Sequence, residues 1–485
     1  MRKKWWTIIL TLLCFFSFIP IVSSCQKEEQ AHSRYEINAE YMPKSSTLTG
    51  TVKVTFENTI DNEISLLKFQ LYPNAYRENA LYSPVSKAAY GTAYYDGASF
   101  GEMVISSVNG AKGWEVMGED ENILYVYLER SLFPGDKVVL DIGFMVKLAK
   151  VKHATGVCVK TVNLGNFFPI LCGVKNGGFV ENVYYDVGDP FYSDFADYTL
   201  VLKTPKDYVV ASSGELVGER TLESKKEHTM SLMNARNFTV TLSQAYRVEE
   251  RVLGEKTLLY YHYSDENADK TMQLIEECFS YYQKTFGEYP YPTYSVAQTG
   301  LFCAGMEFPA MFFLSDGLGE KEKVRAVAHE TAHQWWYAVV GSDSVENAWQ
   351  DEGVAEYSAL TFFEEYEKYE VGREAAVADA LKEYRSYYDV YGSVLGRADT
   401  RMTRHLKEFI SEYEYQCVSV DKAVVMLDTL RKSVGDERFF TALKKYYASN
   451  RFKNATPADF VAAFERCGLD VGGFFDSFLS GKGIL

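Results

Sequence analysis

From Tyr35 to about Val252, apolar and polar residues alternate in short runs. Val52, Val54 and Phe56 alternate with Lys53 and Thr55, and Leu140, Ile142 and Phe144 with Asp141 and Gly143; a period of two places each set on one face of a strand. The run from Tyr198 to Leu202 stops at Pro205, and turn clusters such as Pro134-Gly135-Asp136 separate the runs, which predicts a β-sandwich or curved, saddle-shaped sheet. Near Glu255 the period changes. Met272, Ile275, Phe279, Tyr282 and Phe286 fall at steps of three and four, predicting a helix stopped by Gly287. Glu288-Tyr-Pro-Tyr-Pro292 cannot be helical and leads into a strand holding Glu307. Helical spacing then continues through 324–340, 351–368, 419–434, 437–447 and 457–466. The predicted class is α+β, with an N-terminal β domain over 35–254 and a mainly α-helical domain over 255–485.

The first residues read as an address. Arg2, Lys3 and Lys4 precede an apolar run from Trp5 to Val22, the pattern of a signal peptide over 1–24. The ending Val22-Ser-Ser-Cys25 resembles a bacterial lipobox, which implies cleavage before Cys25, a lipid on its thiol and a polar tether over 25–34. An uncleaved anchor helix is the other reading. Either way the rest of the chain is expected to be exported and membrane-anchored, at the bacterial cell surface or on the periplasmic side. The net charge of -16 becomes -19 once those three cations are removed, which argues against nucleic acid and against attraction to anionic lipid surfaces. Six cysteines follow Cys25, without a Cys-x-x-Cys spacing. They allow fifteen connectivities; Cys158 and Cys172 are the nearest pair, and the others read as small buried apolar residues.

Candidate chemistry concentrates in residues 324–357. His329 and His333 stand four apart with Glu330 between them, and Glu352 follows His333 after eighteen residues. Positions i and i+4 share a helix face, so both imidazoles can reach one ion while Glu330 points alongside it. Val324, Val327 and Ala328 before the histidines, and Trp335, Val339 and Val340 after them, predict one buried helix ending at Gly341. A catalytic zinc takes three protein ligands and keeps a position for water; His329, His333 and Glu352 supply the three, for one zinc per chain. Glu330 is placed to take the water's proton and deliver it to the leaving amine. Glu356 lies one turn after Glu352, either orienting a histidine or simply solvated.

These residues carry a resemblance. The chain resembles the membrane alanyl aminopeptidase and leukotriene hydrolase family of gluzincins, whose zinc site is His-Glu-x-x-His, eighteen residues, then Glu. Ala304-Gly-Met-Glu-Phe-Pro309 is similar to the family's Gly-x-Met-Glu-Asn strand, with Phe308 where the family has Asn. The resemblance implies that Glu307, with Gly305 and Met306, binds the substrate's free amino terminus. Asn163-Leu-Gly-Asn-Phe-Phe-Pro-Ile170 and the opening Tyr35 to Phe56 are similar to the family's N-terminal β domain, and the helical half to its thermolysin-like catalytic domain. Family members often carry a further helical domain that closes the site, so a chain ending at Leu485 is expected to have a more open one. The family's oxyanion donor, a tyrosine in a Tyr-x-Lys-Gly segment, aligns with Val420 in Val420-Asp-Lys-Ala423. Tyr415 and Tyr413 are the nearest candidates, and Tyr415 is taken as the substitute.

Tyr384, Tyr387, Tyr388 and Tyr391 have helical spacing and read as a packed stripe more readily than a cleft lining. His153, His228, His262 and His405 are single and are assigned no role. The expected function is a zinc metallo-aminopeptidase acting on peptides with a free amino terminus. The alternatives are a surface peptide-binding protein that keeps the fold with little or no turnover, and a zinc endopeptidase.

Overall fold

The computed structural model describes residues 33–483, so the apolar run 5–22 and Cys25 lie outside the described residues. Among those described, no helix is long and apolar enough to cross a membrane.

The alternating runs form strands whose apolar residues face one core. Strand Ser33–Met42 buries Tyr35, Ile37, Ala39 and Tyr41. It pairs antiparallel with Thr47–Glu57, Tyr35 opposite Val54, and parallel with Ala196–Pro205, Tyr35 opposite Tyr198. The two tyrosine rings stack at 4.9 Å. Glu102–Asn109, Lys137–Lys147, Glu215–Thr221 and Lys225–Ala235 complete a seven-stranded sheet. Val52, Val54, Phe56, Leu140, Ile142 and Phe144 are all buried in it, each contributing about 1.5–3 kcal/mol by leaving water.

A smaller sheet, Thr155–Val157, Val162–Gly165, Val209–Ser212 and Thr239–Ser243, ties this half to the helical one. The joint is Asn163, fully buried. Its Nδ2 donates to His153 O at 2.8 Å, and its Oδ1 accepts from Thr241 Oγ1 at 2.9 Å and Thr299 Oγ1 at 2.6 Å. Thr299 ends strand Thr293–Thr299 of a five-stranded sheet that also holds Arg247–Leu253, Lys256–His262, Gly305–Phe308 and Met311–Ser315. The change of period near Glu255 thus falls in a hairpin, turning at Gly254 with φ +61°.

Helix α1 (Ala268–Phe286) buries Met272, Ile275, Phe279, Tyr282 and Phe286. Gly287 stops it: its φ is +149°, and a Cβ there would stand 2.6 Å from the Tyr447 ring. Helix α2 (Glu320–Ala332) lies against α1, Tyr282 donating to Ala328 O at 2.9 Å. The sequence predicts that this helix continues to Gly341; instead it ends at Ala332. Gln334 N bonds Thr331 O, whereas Ala338 N reaches five residues back to His333 O, so the chain tightens and then widens into turns. The reason lies in the three consecutive aromatics. Trp335 packs on Phe279, Tyr282 and Tyr289, while Trp336 packs on Phe286 and Tyr446 and donates to Ser358 Oγ. Bulk needed on more than one side does not fit a helix with a single apolar face.

Helices α3 (Glu352–Glu365), α4 (Arg373–Leu395), α5 (Glu412–Tyr415), α6 (Lys422–Val434), α7 (Asp436–Asn450) and α8 (Pro457–Glu465) follow. The tyrosine stripe packs: Tyr384 and Tyr387 are buried, and Tyr387 donates to Glu414 Oε1 at 2.9 Å. Cys158, Cys172, Cys278, Cys303, Cys417 and Cys467 are all free thiols.

Candidate active site

Helix α2 carries His329 and Glu330 in its last turn, with His333 as its C-terminal cap, and Glu352 opens α3. The two imidazoles converge, Nε2 to Nε2 at 3.0 Å, and Glu352 Oε2 lies 3.3 Å from His329 Nε2 and 3.8 Å from His333 Nε2. The other ring nitrogens are held from behind. His329 Nδ1 lies 2.8 Å from Glu356 Oε2, and His333 Nδ1 2.9 Å from Asp351 Oδ1, whose Oδ2 accepts from Ser344 at 2.8 Å. With Nδ1–H donating to a carboxylate, each Nε2 is left as a lone-pair donor aimed at the same point. Two nitrogens and one carboxylate oxygen around a common centre suit zinc.

Electrostatics point the same way. Burial opposes charge on His329, but Glu352 and Glu356 outweigh it and raise the imidazole to about 10. Burial would raise Glu352, but His329 and His333 outweigh it and hold the carboxyl well below the usual range. A metal-free chain therefore keeps protons where the ion would sit, which is the signature of a site built for positive charge.

Glu330 and Glu307 both face this centre, with one carboxylate oxygen of each and a His333 nitrogen all within 4.8 Å of one another. Both are buried, and Glu330 Oε2 and Glu307 Oε1 have no hydrogen-bond partner. Burial pushes the Glu330 carboxyl up to about 7 against the pull of His329 and His333. Gly305, on the edge strand Gly305–Phe308, is a space requirement: a Cβ there would stand 2.5 Å from Glu330 Cδ and 2.6 Å from its Cγ. Phe308 points away, buried against Phe313.

These groups line one cleft of about 570 Å³ together with Met306, Tyr415 and Val420. Tyr415 and Val420 are both there because residues Gln416–Asp421 form a π-helical turn. Five residues lie about 140° apart around an α-helix but stack on one face of a turn with i→i+5 bonding. Tyr413 is exposed and turned toward Glu383. Gly353, the second residue of α3, admits this turn: a Cβ there would stand 2.9 Å from Ser419 O.

The structure thus brings together Gly305, Met306, Glu307, His329, Glu330, His333, Glu352 and Tyr415. It also settles Glu356 as the partner of His329. Sequence reasoning missed Asp351 and Asp189. Asp351 adjoins a ligand and was legible as its neighbour. Asp189 comes from the loop after Phe179, where no spacing relates it to the histidines; it lines the cleft beside Gly188, which has φ +63° and would touch the Tyr415 ring at 2.7 Å if it had a Cβ. His153 also lines the cleft, but its Nδ1 meets Tyr76 OH at 2.7 Å and its Nε2 meets Pro84 O at 3.1 Å.

Residues 269–478 match the peptidase family M1 domain. The chain is similar to aminopeptidase N of Haemonchus contortus, 27% identical over 164 residues, which is 32% of this chain and 16% of that protein. It is also similar to aminopeptidase N of Lactococcus lactis subsp. lactis, 26% identical over 238 residues, 44% of this chain and 26% of that protein. The matched stretches therefore span well under half of those relatives. Among solved structures, an M1 zinc metallopeptidase from Deinococcus radiodurans superposes with a TM-score of 0.63 at 17% identity, covering 94% of each chain. A mutant of that protein, solved with a Tyr-Ser-Ala substrate, superposes with a TM-score of 0.60 at 16% identity, covering 94% of this chain and 95% of the other. The likeness extends over both halves, so the sheet-rich N-terminal domain and the helical domain after it adopt this fold.

Proposed function

Since residues 269–478 match the peptidase family M1 domain, we propose that the protein is a zinc-dependent aminopeptidase that removes residues from the amino termini of peptides. The observation that carries this reading is the convergence of His329, His333 and Glu352 beside two buried carboxylates, each with one oxygen that lacks a hydrogen-bond partner.

His329, His333 and Glu352 would hold one zinc, which when bound polarises the scissile carbonyl and acidifies a water. Glu356 and Asp351 keep the imidazoles in the tautomer that ligates. Glu330, lifted toward neutrality by burial, takes the proton of the attacking water and returns it to the leaving nitrogen. Glu307 receives the substrate's ammonium, and because that ammonium adjoins the first peptide bond, the contact sets the register of cleavage. Tyr415 donates a hydrogen bond to the oxygen that becomes negative during attack.

Hydrolysis of aminoacyl arylamides by purified protein, abolished by a chelator and restored by zinc, tests the reading as a whole. Exopeptidase register is tested by the substrate's amine. Acetylating it, or replacing Glu307 with Ala, is expected to lower kcat/KM by about a hundredfold or more. Acetylated peptides cut as fast as free ones would make the enzyme an endopeptidase.

We infer further, from the basic start, the apolar run and the Val22-Ser-Ser-Cys25 ending, that the chain is exported and held at the membrane by a lipid on Cys25; only that lipid or the apolar segment can hold it, since the acidic remainder has no electrostatic attraction to an anionic bilayer. Cys25→Ser is expected to leave an uncleaved precursor or to move the protein out of the detergent phase. Unchanged processing and partitioning would assign the anchor to the apolar segment itself.

A further inference from the structure

One face of helix α2, with its cap, walls the cleft: Glu322, Arg325, Ala326, His329, Glu330 and His333 all line it, at the steps of three and four that put residues on one side of a helix. The cleft therefore runs along α2, from the metal ligands at its end toward its start. The two directions differ. Glu307 has one carboxylate oxygen within 4.8 Å of a Glu330 oxygen and a His333 nitrogen, so a substrate's ammonium held by Glu307 sits toward the His333 end. From there across the metal, the same helix face leads past His329 to Arg325. Four residues at a rise of 1.5 Å place Arg325 about 6 Å beyond His329, the length of about two extended residues.

Arg325 is the one Lys or Arg among the residues lining the cleft, against eight carboxylates. It is exposed, and among the described residues no carboxylate stands within ion-pair distance of its guanidinium. Its charge reaches Glu356, but that carboxylate is already bonded to His329 Nδ1 at 2.8 Å. Glu322, one turn before it, accepts from Gly319 N at 3.0 Å. The guanidinium thus keeps its planar fork of donors open to the cleft, a geometry that matches a carboxylate.

We propose that Arg325 sets specificity on the leaving side of the scissile bond: it receives a carboxylate carried within two residues after the one removed. The inference rests on the aminopeptidase reading and adds a substrate class to it. The carboxylate has two possible sources of the same chemistry, the carboxyl terminus of a di- or tripeptide and the side chain of an acidic second or third residue. Without Arg325 the remaining charges of the cleft would repel either one.

The test uses zinc-loaded full-length protein and two pairs of peptides: Leu-Gly-Gly against its carboxamide, and Leu-Glu-amide against Leu-Gln-amide. In at least one pair the member with the carboxylate is expected to have the higher kcat/KM, by about fivefold at low ionic strength, with added salt narrowing the gap. In Arg325→Gln that ratio is expected to fall to one or below, because repulsion from the other carboxylates is no longer offset; a merely structural role would lower both members alike. An advantage confined to the first pair assigns the contact to the free terminus of short peptides, one confined to the second to an acidic side chain, and one in both to either. Ratios near one in both pairs, or a ratio that Arg325→Gln leaves in place, overturns the proposal. Should no peptide be cleaved, the aminopeptidase reading falls and binding decides this one. Calorimetry on Glu330→Gln must then show the carboxylate member of a pair binding about fivefold tighter than its partner; equal affinities in both pairs refute the contact.

Discussion

Glu330→Gln is expected to retain zinc and to lose turnover by about 10²- to 10⁴-fold, the range for removing a general base. Glutamine keeps the size of the side chain and removes its ability to accept a proton. The side chain has little freedom to compensate. It is enclosed on the helix between His329 and His333, Gly305 presses against its carboxyl group, and its Oε2 has no protein partner. None of the ligand atoms belongs to it, so metal content should stay near that of the wild type. His333→Ala is the control in the opposite sense: it removes a ligand and leaves Asp351 without its imidazole, so metal and activity should fall together. Metal analysis beside arylamide kinetics separates the two. A Glu330→Gln protein with wild-type turnover would remove the base from the mechanism, and a metal-free one would make Glu330 part of the ligand set.

Tyr415→Phe is expected to lower kcat by about 10²- to 10³-fold, near 3 kcal/mol, with KM little changed, as for other lost oxyanion donors. The aligned position, Val420, cannot donate a hydrogen bond, whereas Tyr415, brought to the same cleft by the π-helical turn, can. Tyr415 is buried beside that centre, and the negative charges of Glu352, Asp189, Asp351 and Glu307 add to burial in keeping its hydroxyl protonated. The protonated form is the one that donates. If Tyr415→Phe turns over normally while Val420→Tyr accelerates hydrolysis, the donor is absent from the natural protein, and a binding role gains the ground that catalysis loses.

The parts of the site that local chain geometry determines were legible in the sequence. His329, Glu330 and His333 share one helical turn, so their relation follows from 3.6 residues per turn and from nothing distant. The strands that bury Tyr35, Val52, Leu140 and Leu200 follow as directly, because alternation admits one buried face. Helix α1 and its stop at Gly287 follow from the helical period and from the one residue type that tolerates the required φ.

What only the tertiary structure decided depends on contacts between distant segments. Helix α2 ends at Ala332 because Trp335 is claimed by Phe279 and Tyr282 within α1, while Trp336 is claimed by Phe286 at that helix's end together with Tyr446 of α7 and Ser358 of α3. The role of Glu356 depended on the angle between two helices, since one turn along α3 specifies a face but not what it meets. Tyr415 reaches the cleft through a π-helical turn that Gly353 admits, and wide turns leave no periodic trace in composition. Asp189 arrives from the other half of the chain, held in place by the packing of Gly188 against Tyr415. Neighbouring residues share a helix or strand and so carry its period, whereas residues that meet only by packing share none.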